Sequence, residues 1–332
     1  MKITVLGAGS WGSALAIHLG RCGCDVTVWA REPEVIAGIN ETHHNPLFLP
    51  DSTFPAAVRA DGNLGRACRG AQAIIFTVPV QFARAVLRTV RDDYPTGAPL
   101  VSASKGIEVA SLQRMDEIVR SELALPAEQF VALSGPSFAR EVADNLPTAA
   151  VLAGCDAGVV RRLQLRISAP TFRFYTSNDV IGVELAGALK NVIAIAAGLA
   201  QGLGLGHNTL AALLTRGIHE ITRLGVKLGG REATFRGLAG MGDLVLTCTG
   251  ALSRNRTAGE RLGRGESLPA VLAGREVAEG VPTTRAAAEL ARRHQVDMPI
   301  TFAVERILAG EVTPRDAVRF LMTRELKEEA RL

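Results

Sequence analysis

In the first half of the chain, apolar residues run consecutively through several short segments instead of alternating with polar ones. The segments are 2–6 (KITVL), 25–29 (DVTVW), 72–78 (QAIIFTV), 99–104 (PLVSAS), 129–133 (QFVAL), 148–153 (TAAVLA) and 171–176 (TFRFYT). Runs of this length fit parallel strands covered on both faces. Between them, stretches such as 13–21 and 82–91 carry apolar residues at helical spacing. This alternation predicts an α/β fold with a Rossmann-type, doubly wound parallel sheet. After about residue 178 the strand runs cease, and helix-compatible stretches follow at 181–200, 208–228, 256–263, 283–294 and 314–330. The pattern predicts one domain over 1–178 and a second, mostly α-helical domain over 179–332, as the length of 332 residues allows.

The first strand runs directly into Gly7-Ala8-Gly9-Ser10-Trp11-Gly12 and then a helical stretch. In a GxGxxG turn the first glycine permits the tight bend. The second lets backbone approach a pyrophosphate, and the third lets helix and strand pack closely. The helix N-terminus adds free N–H groups and a positive dipole end. With strand, turn and helix all in order, 1–178 reads as a dinucleotide-binding domain. The second strand ends Val28-Trp29-Ala30-Arg31, where NAD binders normally carry an acid. Arg31 at that place leans the cofactor toward NADP, although Glu32 beside it weakens the inference.

Composition narrows the function classes. A formal charge of +4 on 332 residues, with no run of five like charges, suits an anionic small molecule better than nucleic acid. The most apolar window, 181–200, contains Glu184, Lys190 and Asn191. Each buried charge would cost about 2.5–3.5 kcal/mol in a bilayer, so no stable membrane insertion is expected. The N-terminus enters a strand at once and shows no secretory signal. Five scattered cysteines with no CxxC pair support neither a disulfide framework nor a zinc site, and a reducing, cytoplasmic setting is the simplest reading. Six histidines show no metal-ligand spacing, and His18 in the first crossover helix reads as structural.

The 37 basic residues include only five lysines, leaving 32 arginines. Lys105 lies in SASKG at the end of a strand, where open α/β sheets bind ligands. The neighbours of Lys190 one helical turn away are Gly187, Ala186, Ile193 and Ala194, so its face should be packed. A desolvated lysine tuned down to a pKa of about 7–8 makes a general base, and a structural salt bridge is the alternative. Asp243 follows the glycine-rich turn 237–242 and could partner Lys190 and orient a substrate hydroxyl. Ser253, Arg254 and Asn255 combine a forked cation with two neutral polar groups, a set suited to phosphate. A helix N-cap at Ser253 or Asn255 is the plainer reading.

These residues carry a resemblance that runs essentially end to end. GAGSWG (7–12), WAR (29–31), SASKGIE (102–108), SGPSFARE (134–141), GALKNVIAIAAG (187–198), NTLAALLTRG (208–217), GLAGMGDLVLTCT (237–249) and LSRNR (252–256) resemble bacterial glycerol-3-phosphate dehydrogenases in order and spacing. The resemblance implies an NAD(P)-dependent oxidoreductase that interconverts dihydroxyacetone phosphate and sn-glycerol 3-phosphate for phospholipid synthesis. It implies Lys190 as the catalytic proton donor and acceptor, with Asp243 beside it. Substrate contacts then fall on Lys105, Gly135, Ser137, Lys190, Asp243, Ser253, Arg254 and Asn255. Cofactor contacts fall on Ser10, Trp11, Arg31, Lys105, Ala139, Arg254, Val277 and Glu279, beside Gly7, Gly9 and Gly12. Gly135, Ser137, Ala139, Val277 and Glu279 rest on the resemblance alone. One departure is His207, where family members commonly carry Asp; it reads as a local capping or surface change.

The expectation is thus an enzyme using NADPH or NADH, leaning to NADP, on a small phosphorylated substrate, with no metal and no nucleic-acid partner. A helical domain rich in Ala and Leu is of the kind that carries subunit contacts, so a homodimer is compatible with it. Two alternatives stay open from sequence. One is another two-domain β-hydroxyacid-type dehydrogenase. The other is a noncatalytic NADP(H)-binding sensor, against which Lys190 and Asp243 together argue.

Overall fold

The computed structural model describes residues 1–273, 278–326 and 328–329. The chain forms two compact units: 1–105 with 113–184, and 106–112 with 185–332. The sequence pattern puts the boundary at 178/179. The structure puts it at 184/185, inside the Val180–Gly202 helix, and transfers the short segment 106–112 to the second unit.

Ten strands lie in the first unit: β1 (Lys2–Leu6), β2 (Asp25–Trp29), β3 (His44–Asn45), β4 (Leu49–Thr53), β5 (Val58–Asp61), β6 (Ala73–Phe76), β7 (Leu100–Ser102), β8 (Phe130–Ser134), β9 (Thr148–Ala153) and β10 (Phe172–Ser177). Eight of them form one sheet in the order β10-β9-β8-β7-β6-β1-β2-β5. From β1 the chain builds outward through β2 to β5, then returns to build the other way from β6. The topological switch therefore lies at β1 and β6, and open α/β sheets bind ligands at such a point. β6 and β8 are buried along their whole length, as their unbroken apolar sequences require.

The sheet departs from a wholly parallel one in one place. β9 runs antiparallel to β8, and β10 is parallel to β9, so this outer pair runs opposite to the rest. The link from β8 to β9, residues 135–147, carries only the five-residue helix Ala139–Ala143. β3, β4 and β5 have no counterpart among the predicted strands. They are short, and β4 (LPDST) and β5 (VRAD) break the apolar run with Pro, Asp and Arg. His18 is buried in the Ser10–Arg21 helix, its ring 4.9 Å from Phe172. Its Nε2 lies 2.6 Å from the Ile167 carbonyl, and burial lowers its pKa.

The second unit is helical. The Val180–Gly202 helix is its axis; it is long and apolar enough to cross a membrane, but 83% of its apolar window is buried inside the protein. The other principal helices are His207–Lys227, Asp243–Thr249, Arg254–Gly263, Gly280–Arg293, Pro299–Leu308 and Pro314–Met322. The last ends well short of the predicted 330. Thr323 closes it, and the following Arg324-Glu325-Leu326 offers no second apolar position to continue a packed face.

Candidate functional site

In the first unit the site residues gather on the turns that follow β1, β7 and β8. Gly7 leaves β1 with φ +111°, a conformation that favours glycine. A Cβ on Gly12 would lie 2.0 Å from the Gly7 carbonyl oxygen, so this position has no room for a side chain. A Cβ on Gly9, by contrast, would meet nothing within 4 Å. The Ser10–Arg21 helix starts here with no side chain bonded to its first N–H groups. The Trp11 indole N–H is buried without a partner. Open space above a glycine, uncapped N–H groups and an orphaned donor fit a dinucleotide's pyrophosphate.

The turn is braced by a residue the sequence reading did not single out. Asn45 is fully buried, and its amide donates to the Ala8 carbonyl at 2.8 Å and to Ser13 Oγ at 2.9 Å. Its Oδ1 accepts from the N–H groups of Leu47 and Phe48. Ser10, expected at the cofactor, donates its hydroxyl to the Phe48 carbonyl at 2.8 Å. Arg31 is 77% exposed, and its ion-pair partner among the described residues is Glu32 at 3.6 Å.

Lys105 is half-buried beyond the end of β7 and donates to the Gly135 carbonyl at 3.2 Å. Ser137 Oγ donates to the same oxygen at 3.0 Å. Gly135 has φ +143°, and a Cβ there would lie 2.9 Å from Ala150 Cα, so glycine is required on both counts. Lys105, Gly135 and Ser137 thus form one cluster, with Ala139 opening the short helix just after it.

In the second unit the Val180–Gly202 helix buries Lys190 to 5% exposure. Its ammonium donates to Asp243 Oδ1 at 2.7 Å and to Thr247 Oγ1 at 2.6 Å. Asp243 begins the Asp243–Thr249 helix, and Thr247 sits one turn later on the same face. The Thr247 hydroxyl also lies 2.6 Å from the Asp243 backbone carbonyl, which fixes its rotamer. Thr247 was not among the sequence candidates, although its i+4 spacing from Asp243 would have revealed it. A buried carboxylate and hydroxyl around one ammonium make a proton-handling group whose position is set by three side chains.

Ser253 caps the Arg254–Gly263 helix, its Oγ accepting from the Arg256 N–H at 3.2 Å. Arg254 is exposed at the helix start, and no carboxylate of the described residues pairs with it. Asn255 is turned inward: its Oδ1 accepts from the Gly280 N–H and its amide donates to Asn191 Oδ1, both at 2.9 Å. Asn255 thereby ties the Val180–Gly202 helix to the start of the Gly280–Arg293 helix, where Glu279 is the N-cap residue. Val277 lies outside the described residues. His207 is exposed and opens the His207–Lys227 helix. Among the described residues no group of three His, Cys, Asp or Glu could hold a metal ion.

Known proteins match these features along the whole chain. The sequence profile of the NAD-dependent glycerol-3-phosphate dehydrogenase N-terminus matches residues 2–159, and that of the C-terminus matches 179–319. The glycerol-3-phosphate dehydrogenase (NAD(P)+) of Nitratidesulfovibrio vulgaris strain Hildenborough is 53% identical over 330 residues, covering 99% of this chain and 100% of its own. That of Geobacter metallireducens is 51% identical over 330 residues, covering 99% and 98%. Among solved structures, glycerol-3-phosphate dehydrogenase from Coxiella burnetii superposes with a TM-score of 0.93 at 39% identity, covering 97% of this chain and 99% of its own. A PanE/ApbA family ketopantoate reductase from Ralstonia eutropha, at 16% identity and a TM-score of 0.60, shares the fold alone. With both halves of the family pattern present in order and half of all residues identical across full-length relatives, the chain belongs to the NAD-dependent glycerol-3-phosphate dehydrogenase family.

Proposed function

We propose that this chain interconverts dihydroxyacetone phosphate and sn-glycerol 3-phosphate, using NADH or NADPH, with Lys190 moving the proton at the C2 oxygen. The observation that carries the role of Lys190 is its burial against Asp243 and Thr247, 2.7 and 2.6 Å away. The bound nicotinamide supplies or takes the hydride at C2. In reduction, Lys190 donates a proton to the oxygen as negative charge grows there; in oxidation it takes that proton back. Asp243 keeps the ammonium oriented and balances its charge, and Thr247 fixes the direction of a second N–H.

The remaining roles follow the family correspondence. Gly7, Gly9, Ser10, Trp11 and Gly12 would hold the pyrophosphate, and Arg31, Ala139, Val277 and Glu279 other parts of the cofactor. The exposed Arg31 guanidinium supports a lean toward NADP. Lys105, Gly135, Ser137, Ser253, Arg254 and Asn255 would position the substrate. Arg254 is the cation for its phosphate, while Asn255 contributes through what remains of an amide already bonded to Asn191 and Gly280. We assign the dinucleotide-binding domain to 1–178 and the substrate domain to 179–332. A homodimer, a cytoplasmic setting and a role in phospholipid precursor supply complete the reading.

The test is spectrophotometric. Purified protein should oxidise NADPH or NADH on addition of dihydroxyacetone phosphate, and parallel runs read the cofactor preference. Lys190→Ala should lower kcat by roughly 10²–10⁴ while cofactor affinity is kept. A variant with near-normal kcat would remove Lys190 from the chemistry.

A further inference from the structure

The second unit holds a cavity of about 590 Å3 that is lined by none of the residues assigned above. Its walls come from the Gly280–Arg293 and Pro299–Leu308 helices and the segment 106–112. Three glutamates reach it, and each already has an arginine. Glu305 is held by both terminal nitrogens of Arg292. Glu311 lies 3.4 Å from Arg306, and Glu289 accepts from Arg293 at 2.8 Å. Arg285 also lines the cavity, is exposed, and pairs with no carboxylate of the described residues. The lining carries three arginines and three glutamates, but Glu289 is drawn to Arg293 outside the lining, so Arg285 is the lining cation with no carboxylate of the described residues on it. A cation entering the cavity would have to break an ion pair, whereas an anion would complete one.

The opposite wall is apolar. Val109 and Leu112 face the cavity from the segment 106–112. That segment is held firmly: Ile107 is fully buried, and the Leu112 N–H donates to the Glu108 carbonyl at 2.8 Å. Leu112 sits at φ +61°, a costly conformation for a branched residue that persists only where its surroundings enforce it. We infer that this cavity binds a small organic anion, a phosphate ester or carboxylate whose head pairs with Arg285 and whose short apolar body lies on Val109 and Leu112. The chain runs directly from Lys105 into this wall, so a ligand here would touch the segment next to a proposed substrate contact.

Calorimetric titration of the full chain with hexyl phosphate and with hexanoate tests the site. A parallel titration of Arg254→Ala, which lacks the proposed substrate cation, separates the two sites: binding through Arg285 survives there unchanged, and binding at the substrate site does not. Saturable binding of either anion below roughly 10 mM is expected. Arg285→Ala should weaken it about tenfold or more, as loss of a charge-assisted pair does. Arg285→Lys should recover part of the loss, and hexyltrimethylammonium should not bind. The inference fails if neither anion binds, if Arg285→Ala binds within twofold of the parent, or if the ammonium compound binds as tightly. None of these readings depends on turnover, so they stand apart from the activity assay.

Discussion

The Ser10–Arg21 helix in the first unit begins with no side chain bonded to its N–H groups, and a side chain at Gly9 just before it would meet open space. The Pro299–Leu308 helix in the second unit begins in the opposite way. Glu220, 1% exposed, accepts from the N–H groups of Ile300 and Thr301 at 2.6 and 3.1 Å and from the Thr301 hydroxyl at 3.1 Å. A helix leaves its first N–H groups unsatisfied, and something must meet them. Where the protein's own carboxylate does so, the helix end is structural. At the Ser10–Arg21 helix no side chain does so, and open space lies beside it at Gly9, which is the arrangement the proposed pyrophosphate site needs.

Glycine separates the two regions in the same way. In the first unit Gly7 and Gly135 shape, with positive φ, the turns that carry the proposed cofactor and substrate contacts. In the second, Gly198 and Gly202 on one helix, and Gly259 and Gly263 on another, lie where any Cβ would strike the partner's backbone. The Gly259 position is 2.1 Å from the Ile195 carbonyl oxygen. These residues bring the Val180–Gly202 and Arg254–Gly263 helices into backbone contact, and so set the distance between Lys190 and the 253–255 segment.

Substitutions can break this contrast. The largest effect on stability is expected at the helix crossing: Gly259→Ala should cost about 3 kcal/mol or more, because backbone cannot move aside as a side chain can. Chemical denaturation would read it, and a loss below 1 kcal/mol would show that the crossing relaxes. The next effect is pH-dependent. Burial pushes the Glu220 carboxyl up to about 7, against the donors that lower it. With its folded value above the ordinary one, its titration contributes stability that is full below about pH 4.5 and is lost as pH rises through 7. The stability of the parent relative to Glu220→Gln should therefore fall between pH 4.5 and pH 8. A constant difference would mean that Glu220 stays ionised throughout. The smallest effect on stability belongs to Gly9→Ala, whose φ of −63° suits alanine. Melting should shift by under about 1 kcal/mol equivalent, while KM for the nicotinamide cofactor rises severalfold. Equal damage to fold and cofactor binding would erase the distinction between the two helix ends.

Much of this was legible in the chain. Strand runs depend on local burial and helices on local periodicity, so the strands that flank the switch point and the helices near 181–200 and 208–228 could be placed, whereas the Pro299–Leu308 helix was not among the predicted stretches. GxGxxG marks a turn whose chemistry is local, because close packing and positive φ act on the same six residues. Lys190 stood out because a cation among small apolar neighbours has to be paired. What escaped depended on partners far away in sequence. β5 is recognised as a strand only once β2 offers it an edge. The antiparallel direction of β9 appears only once β8 offers it an edge. Asn45 braces a turn 37 residues earlier.

The sequence by itself determined the class of fold, the glycine turn after β1 and the lysine that had to be paired, because periodicity, glycine and charge are properties of single segments. Only the tertiary structure decided which groups meet. It set Thr247 beside Lys190, turned the amide of Asn255 toward Asn191 and Gly280, and left Arg285 without a carboxylate among the described residues. Hydrogen bonds and ion pairs act over about 3 Å, and residues separated by 25 to 64 positions come that close only when the helices have packed.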